Sequence, residues 1–199
     1  MNYVIKNNPQ GTDAWLKDRI GHATASHAQA IGNNGKGLET YILEIMSEYL
    51  SSGEKEHYSN EHTERGNELE PTARSMYELE NDCKVEQIGF CELNDFIGCS
   101  PDGLVGEEGM IEIKCPEDKV YFDIIMNEKI DSGYIWQCQM NMLILKRKWC
   151  DLIFYNPNFE KSMKVFRLVP DKMKQQALMK GFVIAEKRIK DLKKKYKSL

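Results

Sequence analysis

The stretch Gly98-Cys99-Ser100-Pro101-Asp102-Gly103-Leu104, with Met110-Ile111-Glu112-Ile113-Lys114-Cys115-Pro116 following it, decides the reading of this chain. The second segment is apolar and strand-like, yet it carries a Glu and a Lys two positions apart. Period-two geometry puts Glu112 and Lys114 on one face, with Ile111, Ile113 and Cys115 on the other. Asp102 stands at a strand end or turn just before a glycine, at hairpin distance upstream. If it enters from the neighbouring strand, two carboxylates and one ammonium converge. Carboxylates in contact repel, and one takes up a proton unless a cation sits between them. For an oxygen-only site that cation is Mg²⁺ or Mn²⁺. A lysine two residues past the metal-binding Glu suits positioning or deprotonating a water, or stabilising charge on a pentavalent phosphorus. The pattern points to metal-dependent hydrolysis of a phosphodiester. Glu117-Asp118-Lys119 repeats the spacing, but it follows Pro116 without flanking strand apolarity and reads as loop surface.

Outward from this stretch, the chain divides by periodicity. Thr12 caps a short expected helix over 13–20 that Gly21 ends, and Thr24 caps a second over 25–31. Gly32-Asn33-Asn34-Gly35-Lys36-Gly37 reads as a loop and lacks the spacing of a phosphate-cradling P-loop. Residues 38–50 and 61–81 read as helices, the second with Pro71 as a kink or a new start. Residues 85–90, 96–99 and 110–115 read as consecutive strands, 118–127 and 134–145 as helices, 150–155 and 164–169 as strands. A helix from about 171 to 197 ends the chain. This order describes an α/β sandwich with a central mixed sheet flanked by helices.

The 199 residues suit one domain, taken as 1–199, and the 41 % apolar content is enough to fill a core. No apolar run reaches the length of about 18 residues that a membrane helix needs. Met1 to Pro9 lacks the apolar core of a signal peptide, so the expected location is intracellular. The six cysteines show no C-x-x-C pair and read as reduced thiols. The net charge of −4 speaks against a nucleic-acid partner only superficially, because its distribution is uneven. Residues 1–38 sum to +2, residues 39–108 to −14 and residues 109–199 to +8. A basic last third is a binding surface or a set of solvated helix faces.

Asp102 followed by Glu112-x-Lys114 resembles the PD-(D/E)xK nuclease motif. Ser-Pro-Asp-Gly followed by Glu-Ile-Lys-Cys-Pro resembles the lambda-exonuclease and YqaJ-like viral recombinase branch of that superfamily. Three further pieces resemble that branch in the right order. They are Trp15-x3-Arg19-x-Gly21-x2-Thr24-Ala25-Ser26, then Arg65-Gly66-Asn67-Glu68-Leu69-Glu70, and Trp136-Gln137-Cys138-Gln139-Met140. The resemblance covers about residues 12–157.

The resemblance implies a restriction-endonuclease-like α/β core. It also implies that Asp102 and Glu112 ligate Mg²⁺ (Mn²⁺ substituting), with the Ile113 backbone carbonyl as a third oxygen. Lys114 would orient and activate water. Glu70 would assist the metal as an upstream acid, in a second shell or at a second metal, and Gln137 would hydrogen-bond near the nucleophile. Read without the resemblance, Glu70 is one more surface Glu and Gln137 a polar face residue beside Gln139. Arg19, Ser26 and Ser100 match a terminal 5′-phosphate pocket, and a guanidinium fork with two hydroxyls suits a phosphomonoester. Otherwise Arg19 is a helix C-terminal cation and Ser26 a first-turn residue.

The implied activity is a Mg²⁺-dependent 5′→3′ exonuclease on linear double-stranded DNA. It would release 5′-mononucleotides and leave 3′ single strands for phage-type recombination with a single-strand annealing recombinase. A homotrimeric ring around DNA and a phage or prophage origin in a bacterial cytoplasm belong to the same resemblance. The alternatives are another PD-(D/E)xK nuclease, either an endonuclease or a Cas4-like enzyme, and a non-catalytic DNA-binding scaffold of the same fold. The missing four-cysteine cluster disfavours the Cas4-like enzyme. Two departures stand out. The apolar residue expected just before Gly66 is not evident in Asn60-Glu61-His62-Thr63-Glu64-Arg65, and His22, His27, His57 and His62 have no spacing that gives them a role. The terminal helix places Leu178, Phe182, Ala185, Ile189, Leu192 and Tyr196 on one face and lysines on the other. It packs on its own domain, or it offers a surface to a subunit or to DNA.

Overall fold

The computed structural model describes residues 2–51 and 61–199, with residues 61–64 as backbone only. His57 and the His62 side chain lie outside the described residues. The elements run β1 (Val4–Lys6), α1 (Asp13–Arg19), β2 (Ala23–Thr24), a 3-10 turn (Ala25–His27), α2 (Ala28–Asn33) and α3 (Lys36–Leu50). Then come α4 (Glu61–Asn81), β3 (Val85–Glu86), β4 (Phe90–Asn94), β5 (Ile97–Cys99), β6 (Gly103–Val105) and β7 (Gly109–Lys114). The chain ends with α5 (Asp118–Asn127), α6 (Ser132–Leu145), β8 (Trp149–Tyr155), β9 (Met163–Leu168) and α7 (Lys172–Lys197).

The central mixed sheet has five strands in the order β3-β6-β7-β8-β9, with β7 and β8 parallel and the other neighbours antiparallel. Parallel neighbours need a crossover, and α5 and α6 supply it. The alternation along β7 sorts its side chains into two cores. Ile111 and Ile113 meet Ala73 and Tyr77 of α4, together with Ile153 and Tyr155 of β8. Met110 joins Leu152 and Phe154 in the larger core formed with α5, α6, α2, α3 and α7. Glu112 lies on that second, α6-facing side, which is why its charge needs partners.

A second sheet, β1-β4-β5-β2, also mixes parallel and antiparallel pairs. Its presence corrects the strand expected over 85–90, which is divided between the two sheets. The chain changes sheets at Gln87-Ile88-Gly89. There a β-carbon on Gly89 would stand 2.1 Å from the Lys6 carbonyl oxygen and 2.6 Å from that of Asn8, so only glycine lets the N-terminal segment pass.

Thr12 caps α1 as expected, accepting from Trp15 N at 3.3 Å. Thr24 makes no side-chain cap and instead turns its Oγ1 to the Tyr41 hydroxyl at 3.2 Å. The expected Gly/Asn loop is shorter than its composition suggests, because Gly35 is already the cap of α3. Pro71 lies within the continuous span of α4. The apolar face of α7 packs on its own chain: Leu178, Phe182, Ala185 and Ile189 are buried, and Gly181 lets the α2 backbone approach closely at Ile31. No helix among the described residues is long and apolar enough to cross a membrane.

Candidate active site

Register brings the acidic pair together. Gly103 faces Ile111 across β6 and β7, so Asp102, one residue beyond the ladder, comes level with Glu112. Asp102 Oδ2 accepts the Ile113 N–H at 2.6 Å, which fixes the side chain at the strand end. Gln10 holds the preceding loop by donating to the Pro101 and Ile88 carbonyls, each at 2.8 Å. Glu112 is 1 % exposed, on a strand hydrogen-bonded on both sides.

A buried carboxylate demands donors. Lys114 Nζ and Gln137 Nε2 donate to Glu112 Oε1 at 2.8 and 2.6 Å, and Asn141 Nδ2 donates to Oε2 at 3.0 Å. Glu112 is nonetheless pushed up to about 8, by burial first and by the Asp102 carboxylate second. Burial also raises Asp102 against the pull of Lys114, the Ile113 N–H and Arg74. Burial alone would lower Lys114, but Glu112 and Asp102 outweigh it and hold the ammonium above its ordinary value. Glu70 is pushed up to about 7 by burial and by Asp102, and it ion-pairs with Arg74 one turn along α4.

One groove of about 540 Å³ takes in Asp102, Glu112, Ile113, Lys114, Glu70 and Gln137, and also Arg19 and Ser100. Arg19, the last residue of α1, lies over the Trp15 ring at 4.3 Å, and its Nη1 donates to Ser100 Oγ at 3.2 Å. Trp15 Nε1 donates to the same oxygen at 3.1 Å. A hydroxyl whose oxygen accepts two bonds keeps its own O–H for an acceptor, so Arg19 and Ser100 together present donors to an anion. Ser26 does not line this groove. Its hydroxyl bonds Thr24 Oγ1 at 3.0 Å and His27 Nδ1 at 3.3 Å.

Among the described residues, no three Asp, Glu, His or Cys side chains close on one point. The acidic groups that could serve as donors are the pair Asp102 and Glu112, while Glu70 is ion-paired with Arg74. A buried carboxylate, Glu112, whose proton affinity is raised by a second, half-buried one, Asp102, fits a small hard divalent cation, which would remove their repulsion. The Ile113 carbonyl would add a third oxygen from the same strand.

Sequence reasoning passed over Asn141, Gln10 and Arg74, and it named Trp15 only as part of the N-terminal motif, without a site role. For Asn141 and Arg74 a signal was available, because each lies four residues from a recognised partner, Gln137 and Glu70 respectively. Gln139 has a structural task. Its Nε2 donates to the Val169 carbonyl and its Oε1 accepts from Asp171 N, both at 2.8 Å, fastening α6 to the start of α7.

The model of the YqaJ-like viral recombinase domain matches residues 14–147, which span both the Arg19 end and the Glu112 end of the groove. The chain belongs to the YqaJ-like viral recombinase family. This YqaJ-like chain is similar to solved structures of an alkaline exonuclease, LHK-Exo, from Laribacter hongkongensis. One is 29 % identical with a TM-score of 0.81, covering 94 % of this chain and 99 % of that one. A second, of LHK-Exo in complex with dAMP, is 30 % identical with the same TM-score and coverage. A phage-related exonuclease from Haemophilus somnus 129PT shares the fold at 16 % identity and a TM-score of 0.74, covering 88 % of this chain and 96 % of that one. No curated protein matches the YqaJ-like chain.

Proposed function

We propose that this DNA nuclease of the YqaJ-like family is a Mg²⁺-dependent exonuclease that degrades one strand of linear double-stranded DNA in the 5′→3′ direction. It releases 5′-mononucleotides and leaves 3′ single strands. The observation that carries the reading is that a single groove holds the Asp102–Glu112–Lys114 cluster and the Arg19–Ser100 anion site. The neighbour solved with dAMP supports a mononucleotide as product.

Asp102 and Glu112, with the Ile113 carbonyl, would hold Mg²⁺ or Mn²⁺. When bound, the cation supplies Lewis-acid polarisation of the scissile phosphate and a lowered pKa for the attacking water. Lys114, an ammonium anchored on Glu112 Oε1, donates N–H bonds to the nucleophile and offsets charge developing on phosphorus. Gln137, bonded to the same oxygen, orients the nucleophile from the α6 side. Glu70 shapes the field of the pair from its ion pair with Arg74. Arg19 and Ser100 bind the terminal 5′-phosphate, and a phosphomonoester recognised there selects a strand end over an internal phosphate. Ser26 would join them only through a rearrangement of its bonds to Thr24 and His27.

Residues 1–199 would act as one catalytic module. The proposed partners are duplex ends and a single-strand annealing recombinase, the assembly a homotrimeric ring, and the setting a bacterial cytoplasm during phage or prophage recombination. The test compares 5′-phosphorylated and 5′-hydroxyl linear duplexes in Mg²⁺. The phosphorylated end is expected to be digested faster, with Arg19→Ala removing the difference. Equal rates on both ends with the unaltered chain would remove the role given to Arg19 and Ser100.

A further inference from the structure

Asn141 is fully buried in α6, in a run whose neighbours Met140, Met142 and Ile144 are apolar core. Its Nδ2 donates to Glu112 Oε2 at 3.0 Å, while its Oδ1 is buried without a hydrogen-bond partner. A buried amide satisfied at one end is a poor choice for stability alone. An apolar side chain of similar volume would fill the position without an orphaned acceptor. Turning the amide over would be worse, because Oδ1 would then face a carboxylate. The residue is accounted for by what it holds.

Glu112 has three side-chain torsions and would otherwise sample several rotamers. Gln137 and Asn141 sit one turn apart on the same face of α6 and reach different oxygens of the carboxylate. Lys114 and Gln137 both bond Oε1. Asn141 is the donor on Oε2, so it converts a grip on one oxygen into a grip on both. It does not line the groove, so it acts through Glu112 and not on substrate.

We propose that Asn141 is a positioning residue that locks Glu112 in the single rotamer from which Glu112 and Asp102 share a divalent cation. The inference rests on the metal reading above and extends it to a residue outside the groove. Groups that orient metal ligands in this way typically contribute about 10- to 100-fold in metal affinity.

The test is Mn²⁺ titration of the full chain by calorimetry without DNA, alongside thermal unfolding without metal. Asn141→Leu removes the orphaned acceptor but also the donor on Glu112 Oε2, so it is expected to fold with a metal-free melting temperature near that of the unaltered chain and to weaken Mn²⁺ binding by about 10-fold or more. Glu112→Gln is the control that abolishes binding. If Asn141→Leu fails to fold, Asn141→Ala is titrated against Met142→Ala, a buried neighbour on the same helix. Asn141→Ala is then expected to lose affinity and Met142→Ala to keep it. Unchanged affinity in the Asn141 variant, or equal loss in both alanine variants, overturns the proposal while leaving the metal reading intact. If the unaltered chain binds no Mn²⁺, the metal reading falls and takes this inference with it.

Discussion

Glu112 is buried between a lysine, two amides and a second carboxylate, and its chemistry follows from that setting. Lys114 is the only cation bonded to it among the described residues. Lys114→Met should lower the rate of DNA hydrolysis by about 100- to 1,000-fold, the usual loss when a donor to developing charge is removed. Single-turnover hydrolysis with circular dichroism as a folding check measures this, and full activity would remove Lys114 from the chemistry. His22 makes a different residue-level case. Its ring sits edge-on to Phe90, and burial lowers its pKa, with Glu92, 3.8 Å from Nε2, opposing only in part. The folded state therefore binds the His22 proton less readily than the unfolded state. The stability this confers is present above the unfolded value of about 6.5 and is lost as pH falls through the lower folded value. Between pH 7.5 and 5, the melting temperature should fall more steeply for the unaltered chain than for His22→Gln. Parallel curves would contradict it.

At the scale of elements, the long periodic segments were legible because their patterns are strong. The alternation of β7 put Glu112 and Lys114 on one face, and the structure places them there, bonded to each other. Of the short strands, β5 was legible within 96–99, but most of the others were not. β1, β2, β3 and β6 have two or three residues each, too few to show a period, and they form only because partners supply their hydrogen bonds. The division of 85–90 between two sheets was hidden for a related reason, since it depends on the N-terminal segment crossing at Gly89. Gly89→Ala should destabilise the fold by about 1–3 kcal/mol, as overpacking commonly does, because the obstruction is backbone. Urea unfolding tests this, and an unchanged midpoint would refute the crossing. Asn141 was obscured in turn by its apolar neighbours, which make α6 read as a plain core helix.

For the whole molecule, net charge was a poor guide and the placement of charge a good one. The acidic middle of the chain divides in the structure. Asp102 and Glu70 line the groove, while Glu39 is not among its lining residues and is paired with Arg188 of α7. The basic last third is likewise partly occupied by the fold, with Lys190 on Glu186 and Lys193 over Tyr49. The sequence pieces that pointed to a nuclease are far apart in the chain, and the groove unites them at Arg19, Glu70, Ser100, Asp102, Glu112 and Gln137. Ser26 is the exception, because its hydroxyl is directed to Thr24 and His27. If Arg19 and Ser100 bind a strand end and Asp102 and Glu112 a metal, as proposed, the groove should act on ends and spare continuous strands. The most direct measurement is digestion of equal amounts of linear and covalently closed circular duplex in Mg²⁺, with product identification by mass. Mononucleotide release from the linear duplex alone, abolished by chelator and by Glu112→Gln, is the expected result. Cleavage of the closed circles, or digestion of the linear duplex that survives Glu112→Gln, would contradict the account.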